Sequence, residues 1–542
     1  GELRWKSPRE INKPNQKILP KDENYCVQRP SSLGGPGGSG LYVGQEDCLY
    51  LDISAPSKNN STLLPVMFWI HGGGNTSGLK DLYDFKKMVK KHGVIIVRVN
   101  YRLGPFGWFS HPSIQNFQTG IDKTSNFGTL DIISALNWVK NNISLFGGDP
   151  NNVTIFGESA GGHNVLSLIV SDKSKGLFHK AISMSGYTTS IEPSKAYIQA
   201  QKSSTSSYTS SEVVKKIVND INNSNETYSE EDIRQILLNL STRDFFQYYA
   251  NRETYEEIPL LAADGIVIPR IGLKKALYDQ KFVNRVPTIV GSNRDEVKLW
   301  LATAEYFVEL DYSAASSLLN IPKVRLKDKD AFEAFNYYRS AAWKIRGVDV
   351  PLEALYNSGN KNIFAYRYDW DDHRKYVIAD FKTLIGAGHA TEIPLLAGNA
   401  KLVGGYPLSD LIYPPGRSKF FTSRNMIKFW TNFAKYGDPG TSTNNIKWDS
   451  AVTNGKLGTS YIVLDNKENL KINHDKKTFK SLAQELYEDH RVDDLEKCVI
   501  LLQMFTFVGD DLYDENINHY PSKCIRSDAE NFLIENASFI EY

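Results

Sequence analysis

A serine sits between two glycines where an apolar strand-like run meets an apolar helix-like run, and few folds accommodate that arrangement. Val153-Thr154-Ile155-Phe156 has the β-branched and aromatic residues of a buried strand. Gly157-Glu158-Ser159-Ala160-Gly161 follows directly, and Asn164 to Val170 reads as a buried helix. A serine on a tight strand-to-helix turn is held strained and exposed, and glycines two residues to either side let the neighbouring backbone pass without Cβ clashes. The positive end of the following helix then points at the serine, where an oxyanion would form. Ser159 is therefore a candidate nucleophile on a nucleophile elbow.

The flanking pattern fits a sheet that carries such a turn. Leu64 to Ile70 reads as a buried strand running into His71-Gly72-Gly73-Gly74, and Gly93 to Asn100 reads as another. Thr129 to Ile143 is expected to be a helix, with Leu130, Ile133, Leu136 and Val139 at helical spacing. Ala181 to Ser185, Val286 to Gly291 and Ile363 to Tyr368 add strands, and Asn425 to Tyr436 a helix whose Met426, Phe429, Trp430 and Phe433 form a core face. Strands alternating with helices predict an α/β fold with a large, mostly parallel central sheet flanked by helices. From about 190 to 280, Ser- and Asn-rich stretches separate amphipathic helices such as Ile233 to Leu240, which reads as a helical insertion. With no repeat and no clear linker, residues 1–542 are read as a single catalytic domain.

Serine alone is a poor nucleophile and needs a base, an orienting acid and an oxyanion trap. In sheet-based hydrolases the chain order is Ser, then Asp or Glu, then His. His389, on the glycine-rich loop Gly386-Ala387-Gly388-His389 shortly after the Ile363–Tyr368 strand, is the best-placed of ten histidines. His373, in the charged run Asp371-Asp372-His373-Arg374, reads as a solvated loop. Glu296 directly follows the Val286–Gly291 strand, and its neighbour Asp295 is a rival that sequence physics does not separate from it. Asp264 and Asp380 are further candidates, although Asp264-Gly265 is well explained as a turn. Gly73, Gly74 and Ala160 supply backbone N–H donors for the oxyanion, each such donor being worth roughly 3 kcal/mol. This chemistry needs no metal or cofactor.

Composition narrows the partners. Charge is nearly balanced, at +1, so nothing points to nucleic acid or an anionic membrane. No apolar run approaches the roughly 18 residues of a membrane span. Cys26, Cys48, Cys498 and Cys524 form two spaced pairs, which favours Cys26–Cys48 and Cys498–Cys524 disulfides among three connectivities. Each closes a loop of about twenty to thirty residues, worth roughly 3 kcal/mol. With Asn-x-Ser/Thr sequons at Asn59, Asn60, Asn75, Asn142, Asn152, Asn222, Asn225, Asn239 and Asn536, the cysteines favour a secreted or secretory-lumen glycoprotein over a cytoplasmic one. Asn152 is expected to lie too close to the core for use. The chain begins at Gly1 with no visible signal peptide, as a processed or truncated product would.

At this point the residues resemble the type-B carboxylesterase/lipase family, which includes the cholinesterases. The resemblance lies in Gly1-Glu2-Leu3-Arg4-Trp5, Glu46-Asp47-Cys48-Leu49-Tyr50-Leu51, Phe68 to Gly74, Asn100-Tyr101-Arg102-Leu103-Gly104 and Phe146 to Pro150. It continues through Phe156 to Gly162, Asn293-Arg294-Asp295-Glu296, His389 to Pro394, Phe429 to Ala434 and Gly437-Asp438-Pro439, all in order. It implies the α/β-hydrolase fold, a Ser159–His389–Glu296 triad, a Gly73/Gly74/Ala160 oxyanion hole, a Cys26–Cys48 disulfide, and small-molecule or lipid esters as substrates. It also implies structural ion pairs Arg4–Glu46 and Arg102–Asp149, and a structural Glu158.

The chain departs from the family in three places. The family carries strands before the Gly-Glu-Leu-Arg-Trp motif, so early strands are expected to be missing. Asn75 stands where an aromatic often follows the glycines, predicting a more polar cleft entrance. Val297 replaces a small residue after the acid. Pro105-Phe106-Gly107-Trp108 and Trp300 are candidates either for lining the cleft or for ordinary core. A catalytically silent adhesion or binding protein on the same fold is the competing reading, and such proteins typically lack triad groups.

Overall fold

In the computed structural model the described residues are 3–10, 24–31, 35–57, 62–198, 209–221, 228–250, 261–311, 323–399, 412–507 and 510–536. Gly1-Glu2 of the first motif, part of the glycine-rich loop after Ser31, and the sequon residues Asn59, Asn60, Asn222 and Asn225 lie outside them. The central element is a mixed, mostly parallel sheet of nine strands, accompanied by helices. The chain divides into two compact units: the first is 1–183, 188–286 and 357–359, the second 184–187, 287–356 and 360–542.

The first unit carries β1 (Leu51–Ser54), β2 (Leu64–Ile70), β3 (Ile95–Val99), β4 (Gly148–Glu158) and, at its boundary, β5 (Lys180–Met184), in the order β1-β3-β2-β4-β5. β3 and β4 run parallel to β2 on either side, and β1 is antiparallel at the edge. Val66 to Ile70 are fully buried, which explains why β2 is a continuous apolar run and not an alternating one. The helix expected over Thr129–Ile143 forms as α1 (Phe127–Asn142), and the run after Ser159 forms α2 (Ala160–Val170), buried along its whole length. Helices at Ser210–Ile221 and Glu230–Asn239 hold Val213, Val214, Ile217 and Leu237 in a cluster with Trp5, Phe106, Phe109 and Phe245, so these two helices cover an aromatic patch. Phe106 and Trp108 are thus core: Phe106 packs on Phe245, and Trp108 on Tyr101.

Two buried arginines fasten this unit. Arg4 Nε donates to Glu46 at 3.0 Å while its Nη1 donates to the carbonyls of Leu237 and Leu240, tying Arg4 to the end of the Glu230–Asn239 helix. Arg102 pairs not with Asp149, as the resemblance implied, but with Asp131 on α1, through Nε at 2.8 Å and Nη2 at 2.7 Å. Asp131 is buried inside an apolar helix face and requires a cation there, whereas Asp149 is less buried and accepts from the Asn151 amide. Burial pushes the Glu46 carboxyl up, but Arg4 outweighs it and holds the pKa at about 2. A carboxyl depressed in the folded state adds stability above its unfolded pKa and loses it as pH falls through the folded one. Glu46→Gln is therefore expected to lower stability by about 2 kcal/mol at pH 7 and to narrow the gap to wild type between roughly pH 4 and pH 2. Denaturant melts across that pH range check it, and a gap independent of pH contradicts it.

The second unit carries β6 (Thr288–Asn293), β7 (Ile363–Tyr368), β8 (Tyr461–Leu464) and β9 (Lys471–Asn473) in that order, parallel until the antiparallel edge pair β8–β9. Helices α3 (Lys329–Lys344) and α4 (Arg417–Tyr436) belong to it, and Met426, Phe429, Trp430 and Phe433 of α4 are fully buried as expected. Disulfides close Cys26–Cys48 in the first unit and Cys498–Cys524 in the second. Among the described residues no helix is long and apolar enough to cross a membrane.

Candidate active site

The elbow forms where β4 ends. Ser159 has φ 60° and ψ −125°, outside the regions that a non-glycine residue ordinarily occupies, and its carbonyl accepts the first helical bond from His163 N at 3.0 Å. Such strain persists only where the surroundings over-determine it. Here they do. A Cβ on Gly161 would overlap the Ile70 carbonyl, and one on Gly157 would lie 2.6 Å from both that oxygen and Gly161, so only glycine lets β2, β4 and α2 close around the serine. Ala160 opens α2, and the first amides of a helix have no partner within it.

The end of β2 lies against this turn. A Cβ on Gly72 would be 3.0 Å from Ser159 Cβ. Gly73 and Gly74 follow at φ 96° and 62°, and the Gly73 carbonyl accepts from the amides of Thr76 and Ser77 at 3.0 and 2.9 Å, which fixes the turn. His71 stacks on Tyr101, whose hydroxyl donates to the His71 carbonyl at 2.7 Å. Burial lowers the His71 pKa to about 4, so its ring stays neutral and structural. Asn75 does not line an open entrance: it is buried, at φ 61°, and its Oδ1 accepts from Asn164 at 2.9 Å. That burial also removes Asn75 from the usable sequons.

In the second unit β6 delivers the acid. Glu296 is fully buried, and its two oxygens have separate tasks. Oε1 accepts from the Asn293 amide at 2.7 Å and Oε2 from His389 Nδ1 at 2.6 Å. His389 N in turn donates to the Glu296 carbonyl at 3.1 Å. The indoles of Trp300 and Trp343 flank the imidazole, with ring centroids 5.0 and 4.8 Å away, so Trp300 faces the histidine from the segment after the acid. Trp343, on α3, carried no sequence signal, because only the packing of its helix brings it to the loop. Asp295, the rival acid, points elsewhere. Its carboxylate accepts from Arg294, Asn336 and the Ala387 amide. Burial raises the Asp295 pKa, and the Arg294 and Lys298 charges more than offset that, leaving it below the usual range.

The remaining candidates have other work. Asp264 is a turn residue, accepting from the amides of Ile266 and Val267 at 2.9 Å each, and Asp380 caps a helix through Thr383 N. His373 is not a solvated loop residue: it is buried, with Nδ1 2.6 Å from the Ile412 carbonyl and Nε2 2.8 Å from the Gly386 carbonyl. The charged run around it hid this, since Arg294 and Lys382 neutralise Asp371. The structure thus brings Ser159, Ala160 and the 72–74 turn together in the first unit, and Glu296 with His389 in the second. No group of side chains able to hold a metal occurs among the described residues.

Known proteins are similar to this chain along most of its length. The sequence profile described as "Carboxylesterase family" matches residues 1–339 and 349–482. Carboxylesterase 1E of Rattus norvegicus is 32% identical over 423 residues, covering 73% of this chain and 70% of that protein. The liver carboxylesterase of Sus scrofa is 32% identical over 427 residues with the same coverage. A solved structure of PNB esterase superposes with a TM-score of 0.61 at 26% identity, covering 83% of this chain and 86% of its own. A carboxylesterase of Geobacillus stearothermophilus, at 23% identity and TM-score 0.63 over 88% of this chain and 91% of its own, shares the fold.

Proposed function

The chain belongs to the carboxylesterase family, and from that premise we propose that it hydrolyses carboxylic esters through an acyl-enzyme on Ser159, acting as one catalytic domain. The strained serine of the elbow carries this reading, because that backbone conformation has no evident use except to present Oγ. Ser159 Oγ attacks the ester carbonyl while His389 Nε2 takes its proton. Glu296 accepts from Nδ1–H, fixes the tautomer and stabilises the imidazolium. The oxyanion is held by the amides of Gly73, Gly74 and Ala160. Collapse of the tetrahedral intermediate breaks the bond to the alcohol oxygen, which leaves with the proton from His389. Water then attacks the acyl-serine as His389 takes its proton, and the bond to Ser159 Oγ breaks as His389 returns that proton to Oγ, releasing the carboxylic acid.

We place the activity with carboxylesterases and not lipases, since the similar proteins are esterases by name. Two disulfides and homology to mammalian carboxylesterases support a secretory compartment. Among the described sequons Asn239 is exposed and is the proposed glycosylation site. The test is hydrolysis of p-nitrophenyl esters from acetate to palmitate. A rate that peaks at short chains and vanishes in Ser159→Ala is expected. A peak at long chains would make it a lipase, and no serine-dependent rate on any ester would favour the silent binding protein.

A further inference from the structure

The loop that carries His389 is fastened at every residue, and Asp295 holds its middle residue through both backbone and side chain. Asp295 N donates to the Ala387 carbonyl at 3.1 Å, and Asp295 Oδ2 accepts from the Ala387 amide at 3.0 Å, so a single residue holds both polar groups of that peptide position. Gly386 has φ 51°, and a Cβ there would lie 2.5 Å from Asp295 Oδ2, so the loop rests directly on the carboxylate. Outside Asp295, the Gly386 carbonyl faces His373 Nε2 at 2.8 Å, and the Gly388 carbonyl accepts from Asn293 Nδ2 at 2.7 Å. The carboxylate itself is held by Asn336 Nδ2 on Oδ1 at 2.8 Å and by Arg294 Nη2 on Oδ2 at 2.7 Å.

We propose that Asp295 is a positioning residue for the general base: it clamps the 386–388 loop and so sets where His389 presents Nε2. This rests on the reading of His389 as the base. The acid and its neighbour divide the labour, with Glu296 orienting the imidazole ring and Asp295 orienting the backbone from which the ring hangs. The displacement needed to matter is small, since misplacing a catalytic group by about 1 Å removes roughly two orders of magnitude in rate. Substrate binding does not depend on the clamp, so loss of Asp295 lowers kcat and leaves KM nearly alone.

The surroundings of Asp295 supply the test. A cavity of about 720 Å³, lined by Asp295 together with Arg294, Lys298, Glu333 and Lys382 among others, adjoins the carboxylate. A small carboxylate in solution can enter it and replace the missing side chain. Asp295→Ala is expected to lower kcat on p-nitrophenyl acetate by roughly tenfold to a hundredfold with KM changed less than about twofold. Millimolar sodium formate is expected to restore part of the loss saturably, and to leave wild type unchanged. A folded Asp295→Ala enzyme with wild-type kcat, or one whose loss resides in KM, overturns the proposal. Should that variant fail to fold, Arg294→Gln, at a partly exposed side chain, decides it: kcat several-fold lower at unchanged KM supports the clamp, and unchanged kcat overturns it. Ser159→Ala run beside them keeps the two claims apart, because an active Ser159→Ala enzyme removes the triad reading itself, while active Asp295 variants beside a dead Ser159→Ala remove only the clamp.

Discussion

Ser159→Ala is expected to lower kcat on p-nitrophenyl esters by about a millionfold while leaving the protein folded. Alanine removes Oγ, the only atom proposed to form the acyl bond, and no neighbouring hydroxyl stands on the elbow to replace it. The fold should tolerate the change. The strained backbone at φ 60° is imposed by the contacts of Gly157 and Gly161 with Ile70, and not by the serine side chain. The expected thermal midpoint is therefore that of wild type or slightly above. Steady-state rates and a melt on the same preparation check both halves. A variant that turns over at wild-type rate contradicts the mechanism, and one that is inactive because it is unfolded contradicts the account of the elbow.

Glu296→Gln is expected to lower kcat by about ten-thousandfold. The effect arises through Asn293. Its amide donates to Glu296 Oε1, so a glutamine in this place keeps its carbonyl oxygen there and turns its NH2 toward His389 Nδ1. Nδ1 must then accept, which moves the imidazole proton to Nε2. The ring would meet the serine with an N–H in place of the lone pair that removes its proton, and the imidazolium formed later would face a donor. The loss belongs to kcat, with KM near wild type. A Glu296→Gln enzyme within about tenfold of wild type would mean that neither the charge of the acid nor its hold on the tautomer is needed, and would contradict the mechanism.

Much of the scaffold was legible in the sequence because strands buried on both faces leave an unambiguous mark. Leu64–Ile70 is apolar throughout and Ile363–Tyr368 is interrupted only by Arg367, and their observed bounds match the expected ones. Helix ends were less exact: α1 starts two residues earlier and ends one residue earlier than its apolar spacing predicted, since no side chain caps it at Asn126. The Cys26–Cys48 and Cys498–Cys524 bridges are the pairing that spacing favours among three connectivities, and the resemblance implied the first of them.

What was not legible depends on contacts across the chain. Asp131 was passed over for Asp149 as the Arg102 partner, although a carboxylate inside the apolar stretch Leu130–Ile133 was itself a sign of a buried cation nearby. The polarity of Asn75 itself and the charged neighbours of His373 suggest exposure, yet both residues are buried, because Asn164 and two carbonyls take up their polar atoms. Asp295 and Glu296 are adjacent carboxylates that composition cannot rank. Their difference arises from the turn after β6, which aims Glu296 at His389 and Asp295 at Ala387.

Covalent capture identifies the nucleophile without reference to rates, and Ser159 is the residue it should find. The protein is treated with a fluorophosphonate, digested, and its peptides are mapped by mass spectrometry. One adduct is expected, on the peptide holding Gly157-Glu158-Ser159-Ala160-Gly161, absent when Ser159 is alanine. An adduct on another residue, or none on a folded protein, would contradict it.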